Sequence, residues 1–483
     1  MNSGALVYAV RGRVVLVYLG QLLLPLALAL LVPTGLAALA GSWGAAGMLA
    51  GTAVLAGVAG RKAAQVPDVD DLQTNESMVV VALAFLVAAL VMVPPFVSYG
   101  LTPTDAFFEA VSAITTTGLS TLPTDAEPGD DFLLMRNWLQ WLGGLGFVTL
   151  SVLLVSRRGP ADKRLLEGES TPEGLAAHTR AQGRRALELY VGLTLAGTAL
   201  LALVGVPFVQ AVGYAWSSVS TGGFVPPGAD LAGMGAGARG ALLLLFALGA
   251  VPLVTLHRGA RGRWREALRD PQVPWLVGLG VVSAGLIVLF TEGGGSWLAR
   301  AGEALFLAFS AQTTTGYAAG DPATLPAAAT AVLLVAMFIG GCGGSTAGGI
   351  KIWRALVALR LGRHTVVETA LPEHAVHEPE FAGAQLEHHE RQAVLVLALL
   401  FLGVIGLSWL AFLAAGHPPL DALFDVVSAT GTVGLSTGVA GPGLDTPLKW
   451  VLAVDMLMGR LEILAVLVLF APRTWVGRRR SSA

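Results

Sequence analysis

Four segments of the chain are versions of one another and carry groups suited to holding a dehydrated cation. They read Ser112-Ala113-Ile114-Thr115-Thr116-Thr117-Gly118-Leu119, Ser217-Ser218-Val219-Ser220-Thr221-Gly222-Gly223-Phe224, Ser310-Ala311-Gln312-Thr313-Thr314-Thr315-Gly316-Tyr317 and Ser428-Ala429-Thr430-Gly431-Thr432-Val433-Gly434-Leu435. In each, a Ser lies six residues before a Gly, a Thr lies two before it, and an apolar or aromatic residue follows. Gly at that place lets the backbone reach positive φ, where a Cβ is strained. The Thr offers both a carbonyl and a hydroxyl. Four such loops on one axis would form rings of carbonyl oxygen that replace the water around a cation. A short helix before each loop would aim its partly negative C-terminal end at the same place. One such segment alone could be a Gly/Thr packing patch between helices. Four in one register point to the ring.

A second group is Gly340-Gly341-Cys342-Gly343-Gly344-Ser345-Thr346-Ala347-Gly348-Gly349, followed by Ile350-Lys351. A phosphate-binding loop needs Gly-Lys-Ser/Thr after a strand. Here Gly349 precedes Ile350 and Lys351 precedes Ile352, so that chemistry is excluded. Two readings stay open: a segment lying across a pore beneath the four loops, or a packing kink. Arg460 is a charge inside an apolar run, a position that costs at least about 2.5 kcal/mol. Its neighbours three and four residues away are Leu457, Ile463, Met456 and Leu464, none of them acidic, and Glu462, two away, points elsewhere. Its partners must lie on another segment: carbonyls of the Gly340–Gly349 stretch, or an ion pair with Asp455 or Glu462 of another segment. The first option would make Arg460 a fixed positive barrier that movement of the stretch relieves.

Such groups need elements that hold them in lipid. Of 483 residues, 54% are apolar and 13% charged, with mean hydropathy +0.69; soluble domains average about 25% charged. Apolar runs of the length that crosses a ~30 Å hydrocarbon layer predict ten spans: Val14–Val32, Leu36–Ala59, Met78–Ser98, Phe132–Val155, Ala186–Val206, Gly240–Leu256, Pro274–Phe290, Leu325–Gly362, Ala393–Leu413 and Leu448–Phe470. The eighth is 38 residues, about 57 Å as one helix, so it must break at Gly340–Gly349. The first run is longer than the ~7–15-residue core of a signal peptide and is read as a retained span. Of the 30 cationic residues, 25 fall on one side, which the positive-inside rule makes cytoplasmic together with both termini. The segments Thr104–Thr117, Pro207–Gly222, Leu298–Thr315 and Pro418–Val433 are too polar to cross and enter from the opposite side. The fold class is therefore an all-α integral membrane protein of four pseudo-symmetric span, loop, span repeats around one central pore. Its domains are two N-terminal helices (1–60), repeat 1 (61–165), repeat 2 (166–265), repeat 3 with a broken second helix (266–365) and repeat 4 (366–483).

Composition and spacing exclude other classes. The net charge of −2, with cations strung between apolar runs, gives no nucleic-acid surface. Cys342, the single Cys, rules out an internal disulfide and reads as a small residue in a crowded loop. His364, His374, His377, His388 and His389 lie among Glu and Pro, as in a solvated linker rather than a metal site. No Ser/His/Asp set or shared carboxylate pair suggests an enzyme. A carrier of inverted repeats would show two matching broken helices, whereas only the eighth span looks broken.

The four loops, the broken eighth span and Gly459-Arg460-Leu461-Glu462 resemble the Trk/Ktr/HKT superfamily of potassium transporters, most closely its bacterial Trk-type membrane subunits, over essentially the whole chain. The resemblance implies a K+ filter of carbonyls from Thr116, Thr117 and Gly118, from Thr221, Gly222 and Gly223, from Thr314, Thr315 and Gly316, and from Thr432, Val433 and Gly434. It implies a gate formed by Gly340, Gly341, Cys342, Gly343, Gly344, Ser345, Thr346, Ala347, Gly348 and Gly349 with Lys351 and Arg460. K+ is the transported and bound ion, with no cofactor in this chain. The implied partners are the lipid bilayer of the bacterial inner membrane, a second copy in a homodimer, and a cytoplasmic nucleotide-binding regulatory ring. Relatives that prefer sodium commonly carry Ser at the place of Gly118, so the resemblance implies K+ over Na+; a sodium-permeable or proton-coupled transporter of the same fold is the alternative. Gly222 and Val433 stand where the other two loops have Thr, a departure between repeats.

Overall fold

The computed structural model describes residues 9–66, 72–123, 128–155, 172–292, 296–370, 380–381, 384–386 and 388–476. Among these, everything with regular structure is helical apart from a two-residue ladder of Glu380–Phe381 with Ala384–Gln385. Arg157, Arg158, Lys163, Arg164 and Arg478 to Arg480, which carry part of the orientation argument, lie outside the described residues, as do His374 and His377.

Long helices dominate because a backbone in lipid must satisfy its own hydrogen bonds. Gly12–Ala29 (α1) passes through Leu30 into Leu31–Leu39 (α2), and Gly41, at φ 80°, turns the chain into Trp43–Ala64 (α3). The expected boundary between the first two spans is thereby corrected. Pro33 falls in the first turn of α2, where a missing N–H is tolerated, so the first span continues to Leu39 and the second starts at Trp43. There follow Thr74–Val97 (α4), Pro103–Ile114 (α5), Asp130–Val155 (α6), Pro172–Leu203 (α7), Phe208–Val219 (α8), Ala236–Gly249 (α9), Leu253–Ala260 (α10) and Trp264–Ala267 (α11). The remainder are Gln272–Phe290 (α12), Trp297–Gln312 (α13), Ala327–Ile339 (α14), Ile352–Glu368 (α15), His388–Ala414 (α16), Pro419–Thr430 (α17), Thr446–Arg460 (α18), Leu464–Phe470 (α19) and Pro472–Trp475 (α20).

Among the described residues six helices are long and apolar enough to cross a membrane, and the bent pair α9–α10 makes a seventh if counted as one span. The helices that follow loops two, three and four are shorter or broken, whereas α6 after loop one runs 26 residues, which corrects the expectation of a single interrupted span. Between α9 and α10 the chain bends by 113°, because Pro252 has no N–H to donate and drives Val251 out of the helical region. The last run also breaks: α18 ends at Arg460, and Glu462 and Ile463 take φ of 60° and 55° before α19.

Four shorter helices, α5, α8, α13 and α17, each precede one of the repeated loops. Sequence fixes where they start. Thr102 caps α5 by accepting from Asp105 N (3.2 Å) and Ser296 caps α13 by accepting from Ala299 N (3.2 Å), while Pro103 and Pro419 occupy first helical positions, for which Pro is preorganised. In α5 every residue from Ala106 to Ile114 is buried, the pattern of a helix enclosed by protein on all sides. Elsewhere large apolar side chains such as Leu39, Leu203, Leu289 and Leu407 are exposed, as a lipid-facing surface requires. The end of the chain closes on its beginning: Lys449 of α18 reaches Asp105 of α5 at 2.6 Å.

Candidate functional site

Each short helix ends in one and the same knot. The N–H of Thr117 donates to Ser112 O (2.9 Å) and that of Thr116 to Ala113 O (3.0 Å). The corresponding pairs are Gly222 to Ser217 (2.7 Å) with Thr221 to Ser218 (3.1 Å), Thr315 to Ser310 (2.9 Å) with Thr314 to Ala311 (3.1 Å), and Val433 to Ser428 (2.8 Å) with Thr432 to Ala429 (3.1 Å). This is the Schellman arrangement, whose left-handed residue is usually Gly. Here it is Thr four times, with φ of 58° at Thr116, 54° at Thr221, 56° at Thr314 and 51° at Thr432. A β-branched residue there is a true outlier, at a cost of order 1–3 kcal/mol each. Two residues on, Gly118, Gly223, Gly316 and Gly434 have φ of 90°, 75°, 81° and 94°. Left-handed residues on either side of an ordinary one let successive carbonyls face one side of the loop.

The four loops close on one another. A Cβ on Gly118 would strike the Gly222 carbonyl, on Gly223 the Thr315 carbonyl, on Gly316 the Val433 carbonyl, and on Gly434 the Thr117 carbonyl. The contacts run from loop to loop in chain order and the fourth returns to the first. All twelve loop residues singled out in the sequence thus sit in one circuit, eight of them buried and Gly118, Gly223, Gly316 and Gly434 half-buried. The Ser six residues before the Gly also has a physical role: Ser112 Oγ accepts from Gly118 N (3.1 Å) and Ser428 Oγ from Gly434 N (3.0 Å). Two buried acids were missed. Glu109 accepts from Thr121 N (2.8 Å) and pairs with Arg136 (2.8 Å), and Asp425 accepts from Thr437 N (2.8 Å) and Ala440 N (2.6 Å). Each lies nine residues before its loop Gly, a spacing that could have found them.

The Gly340–Gly349 stretch lies against the helix side of this circuit. Gly348 N donates to Thr314 Oγ1 (2.7 Å) and Gly349 N to Gly431 O (3.0 Å). Thr346 Oγ1 donates to Val219 O (3.1 Å) and Gly249 O (2.9 Å) and lies 3.4 Å from Thr221 Oγ1. Its neck is pinned where Ile350, Lys351 and Ile352 N–H groups donate to Phe338, Ile339 and Gly341 carbonyls at 3.0, 3.0 and 2.9 Å. Its outer part uses the α9–α10 break: Cys342 N donates to Ala250 O (3.1 Å), and Leu253 N to Gly344 O (3.2 Å). Gln272 Oε1 accepts from Gly343 N (2.7 Å), Gln312 Nε2 donates to Gly340 O (2.6 Å), and Ser345 Oγ to Cys342 O (2.6 Å).

Arg460 is 1% exposed. Its Nη1 donates to Thr346 O (2.6 Å), its Nη2 to Gly143 O (3.2 Å), and its guanidinium lies 4.3 Å from the Phe147 ring centroid. Lys351 Nζ donates to Ala347 O and lies 4.9 Å from the same ring. Of the two sequence options, the structure takes the carbonyls. The acids are engaged elsewhere: Glu462 pairs with Arg354 (2.7 Å) and Asp455 accepts from Ser408 Oγ (2.8 Å). Among the described residues no group of His, Cys, Asp or Glu is placed to hold a metal ion.

A family profile described as TrkH, cation transport protein, matches residues 61–226 and 297–476. The chain is 30% identical over 424 residues to the Trk system potassium uptake protein TrkH of Salmonella typhimurium, a match covering 84% of this chain and 87% of that protein. It is 30% identical over 503 residues to the Trk system potassium uptake protein TrkH of Halomonas elongata, covering 96% and 99%. The crystal structure of the potassium transporter TrkH from Vibrio parahaemolyticus superposes with a TM-score of 0.85 at 26% identity, covering 96% of this chain and 100% of that one.

Proposed function

The chain belongs to the TrkH family of cation transport proteins, a multi-pass membrane transporter and not an enzyme, and from that premise we propose that it takes up K+ through the loop circuit. The observation that carries this reading is the closed succession of contacts from Gly118 through Gly223, Gly316 and Gly434 back to Thr117. Carbonyls of Thr116 to Gly118, Thr221 to Gly223, Thr314 to Gly316 and Thr432 to Gly434 replace the hydration shell of the ion. Four helix C-termini at the same place favour a cation over an anion. The membrane potential supplies ~2.3 kcal/mol per charge per 100 mV, enough to draw K+ inward. Gly118 in the first loop favours K+ over Na+.

The Gly340–Gly349 stretch is the gate of this pathway, bonded to the second, third and fourth loops. Arg460, held by Thr346 O and Gly143 O, places a positive charge beneath the ring. Conduction requires the stretch to leave, which breaks the Thr314 and Gly431 bonds and releases one Arg460 partner. In this reading the four helix, loop, helix units are pseudo-symmetric repeats, and the protein is a homodimer in a bacterial inner membrane with both termini cytoplasmic. A nucleotide-binding ring docks on basic cytoplasmic linkers such as Arg258 to Arg269.

The test is growth of a K+-uptake-deficient bacterium on low K+ with this chain and its partner expressed. Rescue by the wild type and none by Gly118→Asp is expected; absence of wild-type rescue, or full rescue by the variant, overturns the reading.

A further inference from the structure

The circuit is not fourfold at its middle level. In loops one and three the middle Thr bonds back to the residue that caps the helix: Thr117 Oγ1 lies 2.7 Å from Thr115 Oγ1, and Thr315 Oγ1 lies 2.9 Å from Thr313 Oγ1. Loop two has Gly222 there, and the space that a Cβ would need is filled by the Gln140 side-chain amide of α6. Gln140 is fully buried, and its neighbours fix which way the amide faces. The Phe224 N–H, 3.1 Å away, can only donate and so faces the amide oxygen, and Ser217 Oγ, which accepts from Asn137 Nδ2 at 2.7 Å, donates to that same oxygen at 2.8 Å. The amide oxygen meets both, so Nε2 is left to donate to the Gly222 carbonyl.

That carbonyl is the one that abuts Gly118. Its counterparts in the circuit are those of Thr117, Thr315 and Val433, and among the described residues no hydrogen bond reaches them. Nor is the amide a general need of the fold. Gly143, Gly249 and Gly459 each pack against the carbonyl end of a short helix, and the residues three before them are Gln140, Phe246 and Met456. A polar side chain occurs at this register beside the one loop that lacks a middle side chain.

We infer that Gln140 is a specificity-determining positioning residue: its donor weakens the field of the Gly222 carbonyl and so biases the ring toward the larger cation. The inference rests on reading the circuit as the ion path. A ring with three free carbonyls and one shared has a lower summed field than a ring of four, and field strength sorts cations by size. Removing the donor frees the fourth carbonyl and favours the smaller ion.

The test uses the full chain in liposomes, with K+, Rb+ and Na+ permeability ratios taken from reversal potentials. Gln140→Met keeps the length and removes the donor. It is expected to lower the K+ to Na+ ratio by about fivefold, the worth of one neutral hydrogen bond, with little change in total flux. Gly222→Thr alone meets Gln140 and is expected to lose conduction. Combined with Gln140→Ala it regains flux, because the new hydroxyl has Ser220 at the cap as Thr117 has Thr115. A merely structural Gln140 would lower the flux of all ions together and leave the ratio alone, and that result overturns the inference. So does a double variant no better than Gly222→Thr, which decides the matter if Gln140→Met does not fold. A wild type that carries no K+ overturns the pathway itself.

Discussion

The loop circuit and the Gly340–Gly349 stretch touch each other but are built by opposite means. The circuit repeats one local motif four times, and its contacts are backbone against backbone, each loop wedged by the next. The stretch occurs once, and what holds it is a scatter of separate bonds from Thr314, Gly431, Val219, Gly249, Gln272 and Arg460. Repetition gives rigidity because no loop can shift without displacing its neighbour. Separate bonds, each worth about 0.5–1.5 kcal/mol net, can be exchanged one after another. If the circuit is the filter and the stretch the gate, as proposed, the part that holds its shape and the part that moves differ in how their hydrogen bonds are shared.

Breaking the circuit should have the largest effect. Gly223→Ala places a Cβ on the Thr315 carbonyl at φ 75°, and Rb+ uptake by cells should fall to background while the protein still reaches the membrane. Retained uptake would show that the wedge is not the ion path. Next comes Arg460→Gln, which deletes a buried charge held by two carbonyls. Charge-assisted bonds are worth about 1.5–3 kcal/mol, so K+ flux of the purified chain should rise by roughly tenfold or more; unchanged flux removes Arg460 from the proposed gate. Phe147→Leu takes away the ring that faces both Arg460 and Lys351. At about 0.5–2 kcal/mol for a cation over a ring, the same assay should give a rise of a few fold, and a fall would reverse the assignment.

Two smaller changes sharpen the contrast between part and setting. Ser428→Ala leaves Gly434 N without its acceptor, costing about 1–3 kcal/mol for a buried donor; thermal unfolding in detergent should shift down while ion ratios hold. Glu188→Ala breaks an exposed pair with Arg184, worth about 0.5 kcal/mol or less, and neither unfolding nor flux should move measurably.

What could be read in the sequence divides along the same line. The four loops were legible because they repeat, and the broken eighth run because no helix of that length fits a bilayer. Arg460 was legible as a charge in need of partners on another segment, since its own helix face offers no acid; whether those partners were carbonyls or an acid stayed open. The left-handed Thr116, Thr221, Thr314 and Thr432 were not, because local propensity argues against a β-branched residue at positive φ; only the neighbouring loops make that strain tolerable. The bend at Pro252 was hidden by an apolar run that continues on both sides; Pro252 makes the break, and what uses it is tertiary, since the Ala250 carbonyl left outside the helix meets Cys342 N, 92 residues on. The boundary drawn between Val32 and Leu36 erred in the other direction, since the helix passes through Pro33 to Leu39. Gln140 carries no local signal at all, as its partners lie 77 to 84 residues away.

The contact between Lys449 and Asp105 spans 344 residues, and it has a consequence in time. A ribosome adds roughly 5–20 residues per second, so α5 waits from about a quarter of a minute to more than a minute for α18. Until Ser428–Leu435 is made, near the end of that interval, the chain holds three loops at most and the circuit cannot close. Closure of the circuit is therefore a late event, set by the order in which the chain is made: it can be complete only when translation nearly is.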